Sequence, residues 1–383
     1  MMEQLISATV RLGDPAPWFS ASTITGGSAD LHVSGGRWTV VSFLDDLAAP
    51  RAEAERQALI GSIAGMTEDH LVAYAVLTVP PVALGAIASM APATLRYVAD
   101  YDGAVTRLYG AVGAQGSVVL DPMLRVVAIV PWDHPAGHAT ILRQMLKGLP
   151  SVDESTGVPM TAPALIVPRV LDFDLCDFLV KLYDKMGGDD SGFLLDVEGK
   201  TRTVVNYDLK QRRDMPIVVP ELREKIRDQL VRRLLPAIDR YFQFAATRMD
   251  RYLVSCYDSL EGGHFFRHRD NINAGAQHRR FAVSINLNRD YEGCDLIFPE
   301  FGRRTYRAPV GGAVVFSCGA LHEVTPITRG RRYAFLPFLY GEADAALRAK
   351  NNALIEEGSA RYQEGNDLLY PADVAAPSPA HAA

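Results

Sequence analysis

Two rhythms of apolar and polar residues divide this chain. In the first 148 residues continuous apolar runs alternate with helix-like stretches. Trp38 to Leu44 and Leu71 to Val79 are nearly unbroken apolar runs, as expected of strands covered on both faces. A helix is expected from Arg51 between them, and "SVVLDPMLRVVAIV" reads as two strands turning at Asp121-Pro122. Strands alternating with helices predict an α/β layer structure. A polar, proline-bearing stretch, "PSVDESTGVPMTAP", then has the composition of a linker over 149–162. Beyond it Leu171 to Met186 and Val218 to Phe244 show helical periodicity. Short runs rich in β-branched and aromatic residues follow: Tyr252 to Tyr257, Phe281 to Leu287, Asp295 to Phe298, Ala313 to Ser317 and Tyr333 to Tyr340. Gly262-Gly263, Gly311-Gly312 and Gly330 punctuate them, a spacing that reads as a sandwich or barrel, with the jelly roll as one solution. Asp189 to Asp214 lacks periodicity and reads either as a lid or substrate loop or as a surface excursion. The expected division is 1–148, linker 149–162, a second domain over 163–342, and a helical then disordered tail over 343–383. No internal repeat is visible.

Composition narrows the function classes. With 383 residues and 48% hydrophobic content the chain can build more than one core. A net charge of -6 and a pI near 5.9 offer no broad phosphate-binding surface, so nucleic acid is not an expected partner. Leu71 to Ala91 is uncharged over a length that could cross a bilayer, but Pro80-Pro81 divides it into a strand, a turn and a short helix, so no membrane span is expected. "MMEQLISATVRLG" has no basic region leading into an apolar stretch, so no secretory signal is evident. Cys176, Cys256, Cys294 and Cys318 show no close metal spacing; Cys294 and Cys318 could approach each other, but buried thiols in a reduced cytosol are the simpler reading. The expectation is a cytoplasmic protein whose oligomeric state the sequence leaves open.

Candidate chemistry lies between Glu261 and Tyr340. His268-x-Asp270 is followed by a lone His322 and, ten residues on, by Arg332. Two imidazoles and one carboxylate on one face of an octahedron leave positions open, the ligand set of non-haem Fe(II) oxygenases. An arginine then offers a fixed, bidentate cation for a carboxylate cosubstrate. With nine His among 383 residues a single His-x-acid pair arises by chance, and a lone histidine in a strand is more often a core residue; dyad, spacing and arginine together favour a metal. In a strand, residues two apart share a face, so His268 and Asp270 are expected to point inward together. His264 and His278, in turn and loop surroundings, are expected to be solvated or substrate-facing. Arg280, Arg329 and Arg331 read as surface charges.

From about Ala164 to Tyr340, on "GGHFFRHRDN" and "LHEVTPITRGRR", the chain resembles the 2-oxoglutarate- and Fe(II)-dependent dioxygenases of the prolyl 4-hydroxylase type. The resemblance implies a double-stranded β-helix (jelly-roll) core with buttressing helices, iron on His268, Asp270 and His322, and Arg332 against the distal carboxylate of 2-oxoglutarate. Tyr257 resembles the upstream tyrosine that helps hold the cosubstrate, and Phe265 stands where many members have a second tyrosine. Fe(II), 2-oxoglutarate and O2 are the implied cofactors, with ascorbate a candidate. The implied reaction is hydroxylation of an aliphatic carbon of an amino acid, peptidyl residue or small metabolite, with release of succinate and CO2. Halogenating relatives replace the carboxylate with a small residue, so Asp270 favours hydroxylation. The first 148 residues, with "GDPAPWF" and "DGAVTRLY", resemble a peroxiredoxin of the thioredoxin-fold group. Those enzymes place a cysteine where the helix starts after the first long strand; "FLDDLAAPRAEAE" has none, which excludes thiol peroxidase chemistry. A non-catalytic metal or oxoacid sensor, or an interaction protein working through its thioredoxin-like half, are the alternatives; the intact triad and arginine favour catalysis.

Overall fold

The structure is a computed structural model and describes residues 9–80, 87, 91–356 and 368–370. The chain forms two compact units, Met1–Ala162 with Phe298–Arg304, and Pro163–Ile297 with Thr305–Ala383.

The first unit is thioredoxin-like. Its five-stranded sheet has the spatial order Leu95–Ala99, Leu71–Leu77, Trp38–Asp45, Gly116–Leu120, Val126–Pro131. The first three strands are parallel and the last two antiparallel. Parallel neighbours need a crossover, which helix Pro50–Ile63 supplies between the two central strands. The apolar runs are continuous because both sheet faces are covered. Val40, Ala73 and Val119 pack with Leu59, Ile63, Leu142 and Leu146, whereas Val41, Val72 and Val118 pack with Phe19, Val105 and Tyr109. The linker-like stretch after residue 148 is bound to this unit: Trp38 Nε1 donates to Pro150 O at 2.9 Å and Val152 is part of the core. At the start of the first helix stand Ala49, Pro50 and Arg51, with no side-chain cap and no nucleophile. The short helix expected after Pro80-Pro81 falls, but for Ile87, outside the described residues. Among the described residues no helix is long and apolar enough to cross a membrane.

The second unit is rich in sheet. Its larger sheet runs Arg248–Asp250, Phe338–Tyr340, Phe281–Asn286, Ile327–Phe335, Leu253–Asp258, Arg213–Pro216, Asp189–Asp190, with Ala313–Ser317 paired to Phe281–Asn286. A smaller sheet runs Lys210–Gln211, His264–His268, His322–Val324, Leu296–Ile297, Thr305–Tyr306. Helices Phe173–Met186, Pro220–Arg233 and Leu235–Phe242 cover one face of the larger sheet. Their Leu175, Leu179, Ile226, Leu230 and Ile238 share a core with Val254, Cys256, Val283, Ile285, Tyr333 and Phe335. Strand alternation then directs Tyr257, Ser284, Asn286 and Arg332 to the opposite face. Asp172 caps the first of these helices by accepting from Leu175 N at 2.8 Å, and Gln229 Nε2 ties that cap to the second helix through Asp172 Oδ2 at 2.6 Å.

Several expectations need correction. Val218 to Phe244 is two helices rather than one, because Pro236 has no N–H and its ring crowds the carbonyl four residues back; the first helix ends at Arg233. Asp189 to Asp214 is no loop. It contains the hairpin Phe193–Val197 with Lys200–Val204, turned by Glu198 and Gly199 at φ 50 and 75, and further strands on both sides. Its periodicity was hidden because its buried positions, Ser191, Thr201, Lys210 and Arg212, are polar or charged. The run from Tyr333 to Tyr340 is the end of Ile327–Phe335, a break at Leu336-Pro337, and the short strand Phe338–Tyr340. His278, expected to be solvated or substrate-facing, is 2% exposed and lies 3.6 Å from Asp250. Helix Glu342–Asn351 follows the last strand, and the tail expected to be disordered lies, apart from 352–356 and 368–370, outside the described residues.

The helix-covered face carries the stability of this unit. Phe335 is fully buried within it, so Phe335→Ala is expected to cost about 3 to 5 kcal/mol, read as a lower midpoint in chemical denaturation of the full chain.

Candidate active site

The five residues singled out in the sequence meet in one pocket between the two sheets of the second unit: His268, Asp270, His322, Tyr257 and Arg332 all line it. His268 closes its strand, His322 opens the neighbouring one, and the two are direct cross-strand partners with ring centroids 4.2 Å apart. A register irregularity between Phe265 and His268 sets this pairing. Asp270 arrives differently from the expected strand alternation. The strand ends at His268, and Asp270 lies in the turn beyond it, where its N–H donates to Cys318 O at 2.9 Å. That turn swings the carboxylate back between the rings, Oδ1 3.6 Å from His268 Nε2 and Oδ2 3.4 Å from His322 Nε2.

Backbone carbonyls fix the ring orientations. His268 Nδ1 lies 2.7 Å from Phe266 O and His322 Nδ1 3.0 Å from Ala320 O. A carbonyl can only accept, so Nδ1 carries the proton and each Nε2 turns its lone pair toward Asp270. Burial, and then His268, push His322 down to about 4 against the pull of Asp270, so that its imidazole is neutral near pH 7. Burial pushes the Asp270 carboxyl up, but the positive charge that His322 and His268 carry when protonated outweighs it and holds the group below the usual carboxylate range. One ligand atom from each residue lies within 4.8 Å of the others. Acceptors aimed at acceptors repel unless a cation lies between them, and two neutral imidazoles with an ionised carboxylate are the donors a divalent metal takes. The residues present therefore fit a metal ion.

Arg332 sits directly across the strand pair from Tyr257, its guanidinium carbon 5.7 Å from that ring. It is buried, and its bonds go to neutral groups: Nε and Nη2 to Asn286 Oδ1 at 3.1 and 3.0 Å, and Nη2 to Ser284 Oγ at 2.7 Å. Arg331, on the other face, pairs with Asp258 at 2.6 Å, and exposed Arg329 pairs with Glu292 at 2.7 Å. Among the described residues no carboxylate pairs with Arg332, which leaves a buried cation suited to an incoming one. Phe265 stacks on His268 at 3.5 Å between centroids and offers no hydroxyl.

Sequence reasoning missed a second charged group. Arg212 and Arg251 line the same pocket and share Asp214, whose Oδ2 accepts from their Nη2 atoms at 2.7 and 3.2 Å. Burial works against the charge on Asp214, yet Arg212, Arg251 and Lys210 hold its carboxyl below the usual range. Lys210, Arg212 and Asp214 alternate along "LKQRRDM", so buried polar residues at a spacing of two were the available signal. Ser284 and Asn286 were legible in the same way, as polar steps inside "FAVSINL". Arg251 had no signal: it sits at φ 70 just after a three-residue strand, a conformation costly for a side chain of its size.

Residues 252–340 match the family model described as the 2OG-Fe(II) oxygenase superfamily. Over 171 residues the chain is 30% identical to a PKHD-type hydroxylase of Janthinobacterium sp. (strain Marseille), covering 42% of this chain and 73% of the relative. The chain belongs to the 2OG-Fe(II) oxygenase superfamily. That superfamily implies Fe(II), 2-oxoglutarate and O2, and the His268, Asp270 and His322 cluster is a candidate iron site within it. The chain spans about half the length of the first curated relatives it matches. Among solved structures, a Pseudomonas putida prolyl-4-hydroxylase is similar with a TM-score of 0.36 and 18% identity, over 49% of this chain and 95% of the other. A thioredoxin domain of a thiol-disulfide oxidoreductase from Bacteroides vulgatus is similar with a TM-score of 0.30 and 18% identity, over 36% of this chain and 96% of the other.

Removing Asp214 would take the carboxylate from buried Arg212 and part-buried Arg251. Asp214→Ala is expected to destabilise the second unit by about 3 to 5 kcal/mol in chemical denaturation. Because the folded carboxyl sits below its unfolded value of about 3.9, this stability is present above that pH and is lost as pH falls through the lower folded value. The variant should therefore flatten the acid limb of a stability profile.

Proposed function

We propose that the protein is a 2-oxoglutarate-dependent Fe(II) dioxygenase that hydroxylates an aliphatic carbon of an amino acid, peptidyl residue or small metabolite. The observation that carries this reading is the convergence of a His-Asp-His donor set and a buried arginine without an acidic partner in one pocket. The hydroxylase names of the similar curated proteins support it. The reading takes residues 163–342 as the oxygenase domain with a double-stranded β-helix core, and residues 1–148 as a thioredoxin-like domain with no redox residue of its own. Ascorbate is an optional reductant in it.

His268, Asp270 and His322 would hold the metal, the two histidines fixed in one tautomer by Phe266 O and Ala320 O. Bound Fe(II) with 2-oxoglutarate supplies the O2-dependent oxidation of a C–H bond, releasing succinate and CO2. Arg332 would hold the distal carboxylate of the cosubstrate, with Asn286 and Ser284 fixing the plane of the guanidinium. Tyr257 would lie beside that carboxylate, its hydroxyl already accepting from Arg212 Nη1 at 3.4 Å. Phe265 and Phe316, packed on His268 and His322 at 3.5 and 4.7 Å, would keep water from the inner ligands.

Succinate formation after anaerobic Fe(II) loading and exposure to O2 with 2-oxoglutarate tests the assignment. The wild-type chain should form succinate, and His268→Ala, Asp270→Ala and His322→Ala should each abolish it and lower Fe(II) affinity by at least about tenfold. Normal iron binding and turnover in all three would refute the ligand set, and a wild-type chain that binds both ligands without turnover would be a sensor instead.

Arg332→Ala should weaken 2-oxoglutarate binding by about 2 to 5 kcal/mol, far more than it weakens Fe(II) binding, and Arg332→Lys should recover only part of the loss. Unchanged 2-oxoglutarate affinity, measured by calorimetry on the Mn(II)-loaded chain, would move the role elsewhere.

A further inference from the structure

The oxygenase reading leaves one charged group in the pocket without a task. Fe(II) with the Asp270 carboxylate carries one net positive charge and Arg332 another, and the two charges of 2-oxoglutarate balance them. Arg212, Arg251 and Asp214 are then surplus: two guanidiniums share one carboxylate, which leaves one positive charge facing the same pocket. Asp214 carries a single negative charge and cannot neutralise both; its oxygens also accept from Ser191 Oγ and, at 2.6 Å, from Ser255 Oγ. Lys210, whose amine is pushed well below its ordinary value by burial, adds no negative charge; its Nζ is held by Ser191 Oγ at 2.7 Å and Gly192 O at 2.6 Å.

Of the pair, Arg251 is the one able to reach a ligand. Arg212 is the more deeply buried and the more engaged, with bonds to Asp214, Ser191 and Tyr257, although its Nε finds no partner among the described residues. Among the described residues Arg251 makes one hydrogen bond, Nη2 to Asp214, so most of its five donors remain available. Its guanidinium carbon lies 5.3 Å from the Phe338 ring, which also lines the pocket. The walls there are apolar: Leu296, Phe316, Val324, Pro337 and Phe338.

We propose that the pocket takes a substrate with a single carboxylate on an apolar body, and that Arg251 binds this carboxylate while the apolar part lies toward the His-Asp-His cluster. The proposal rests on the oxygenase reading for the word substrate and on the charge surplus for the carboxylate. A free small acid and the C-terminus of a peptide present the same chemistry.

The test uses the full chain loaded with Mn(II) and saturated with 2-oxoglutarate, so that the metal and Arg332 are occupied. Calorimetry compares pentanoate with pentanamide, and acetyl-Ala-Val with its C-terminal amide. In at least one pair the acid should bind at least about tenfold more tightly than the amide. Arg251→Gln should bring that ratio toward one, and Arg251→Lys should restore part of it. Preference for pentanoate names a free acid; preference for the peptide acid alone names a peptide C-terminus. Equal binding of acid and amide in both wild-type pairs overturns the proposal even if the glutamine variant fails to fold. So does a loss of 2-oxoglutarate affinity in Arg251→Gln matching the loss of pentanoate, which would give Arg251 to the cosubstrate. A wild-type chain that forms no succinate yet keeps an Arg251-dependent preference for acids would sink the oxygenase reading and leave this one standing.

Discussion

Three electron-pair donors held face to face are the constraint on which the second unit depends. The Nε2 atoms of His268 and His322 and the carboxylate of Asp270 converge although nothing among them can donate once both Nδ1 protons are committed to Phe266 O and Ala320 O. Such an arrangement is unfavourable by itself and persists because the surrounding structure over-determines it. The His268 and His322 strands are hydrogen-bonded neighbours, and the Asp270 amide is anchored on Cys318 O. Burial sharpens the repulsion by removing water, and the same burial raises the affinity for a cation placed among the three.

The larger sheet solves the complementary problem of keeping a guanidinium in the interior. Its helix-covered face is apolar, with Tyr333 and Phe335 in the core, and a strand has a period of two, so Arg332 must fall on the pocket face. There the partner strands present Asn286 and Ser284, which accept from its N–H groups without neutralising the charge, and Tyr257, whose ring lies 5.7 Å from the guanidinium carbon. Slipping one strand by a single residue would place Arg332 among the helices and Phe335 in the pocket. Helix packing and the placement of Arg332 in the pocket are thus specified by the same register.

This division explains what the sequence disclosed. His268, Asp270, His322 and Arg332 were legible from their spacing and Tyr257 from the family resemblance, and the pocket contains all five. The route taken by Asp270 was not legible, since a turn at the end of a strand and a strand that continues place residue i+2 similarly in one dimension. Arg251 was not legible because its meaning depends on Asp214 and on strands far apart in sequence, and the alternation that marks Arg212 is easily lost because an exposed arginine-rich stretch has the same composition as a buried one. The helix break at Leu234 was visible in principle in Pro236, which outranks apolar periodicity as a signal.

The thioredoxin-like unit poses the opposite case, a fold whose usual chemistry depends on one atom that is absent. A thiolate at the start of the helix after the first long strand would draw on the helix N-terminus for its acidity, whereas Ala49, Pro50 and Arg51 occupy that turn. What the unit does retain is a buried polar chain. His138 Nδ1 lies 2.5 Å from Glu55 Oε2, His138 Nε2 lies 3.0 Å from Ser117 Oγ, and Ser117 Oγ lies 2.6 Å from Ser42 Oγ. An acid, an imidazole and a hydroxyl in series have the order of a nucleophile relay, but Ser42 and Ser117 are wholly buried within adjacent strands. No substrate atom can approach a hydroxyl sealed in that way. The chain instead satisfies polar groups that the sheet would otherwise bury unpaired, and it joins helix Pro50–Ile63 and helix His138–Lys147 to the strands Trp38–Asp45 and Gly116–Leu120. The polar interior of this unit therefore serves packing, while that of the second unit is left incompletely neutralised where ligands are proposed to enter.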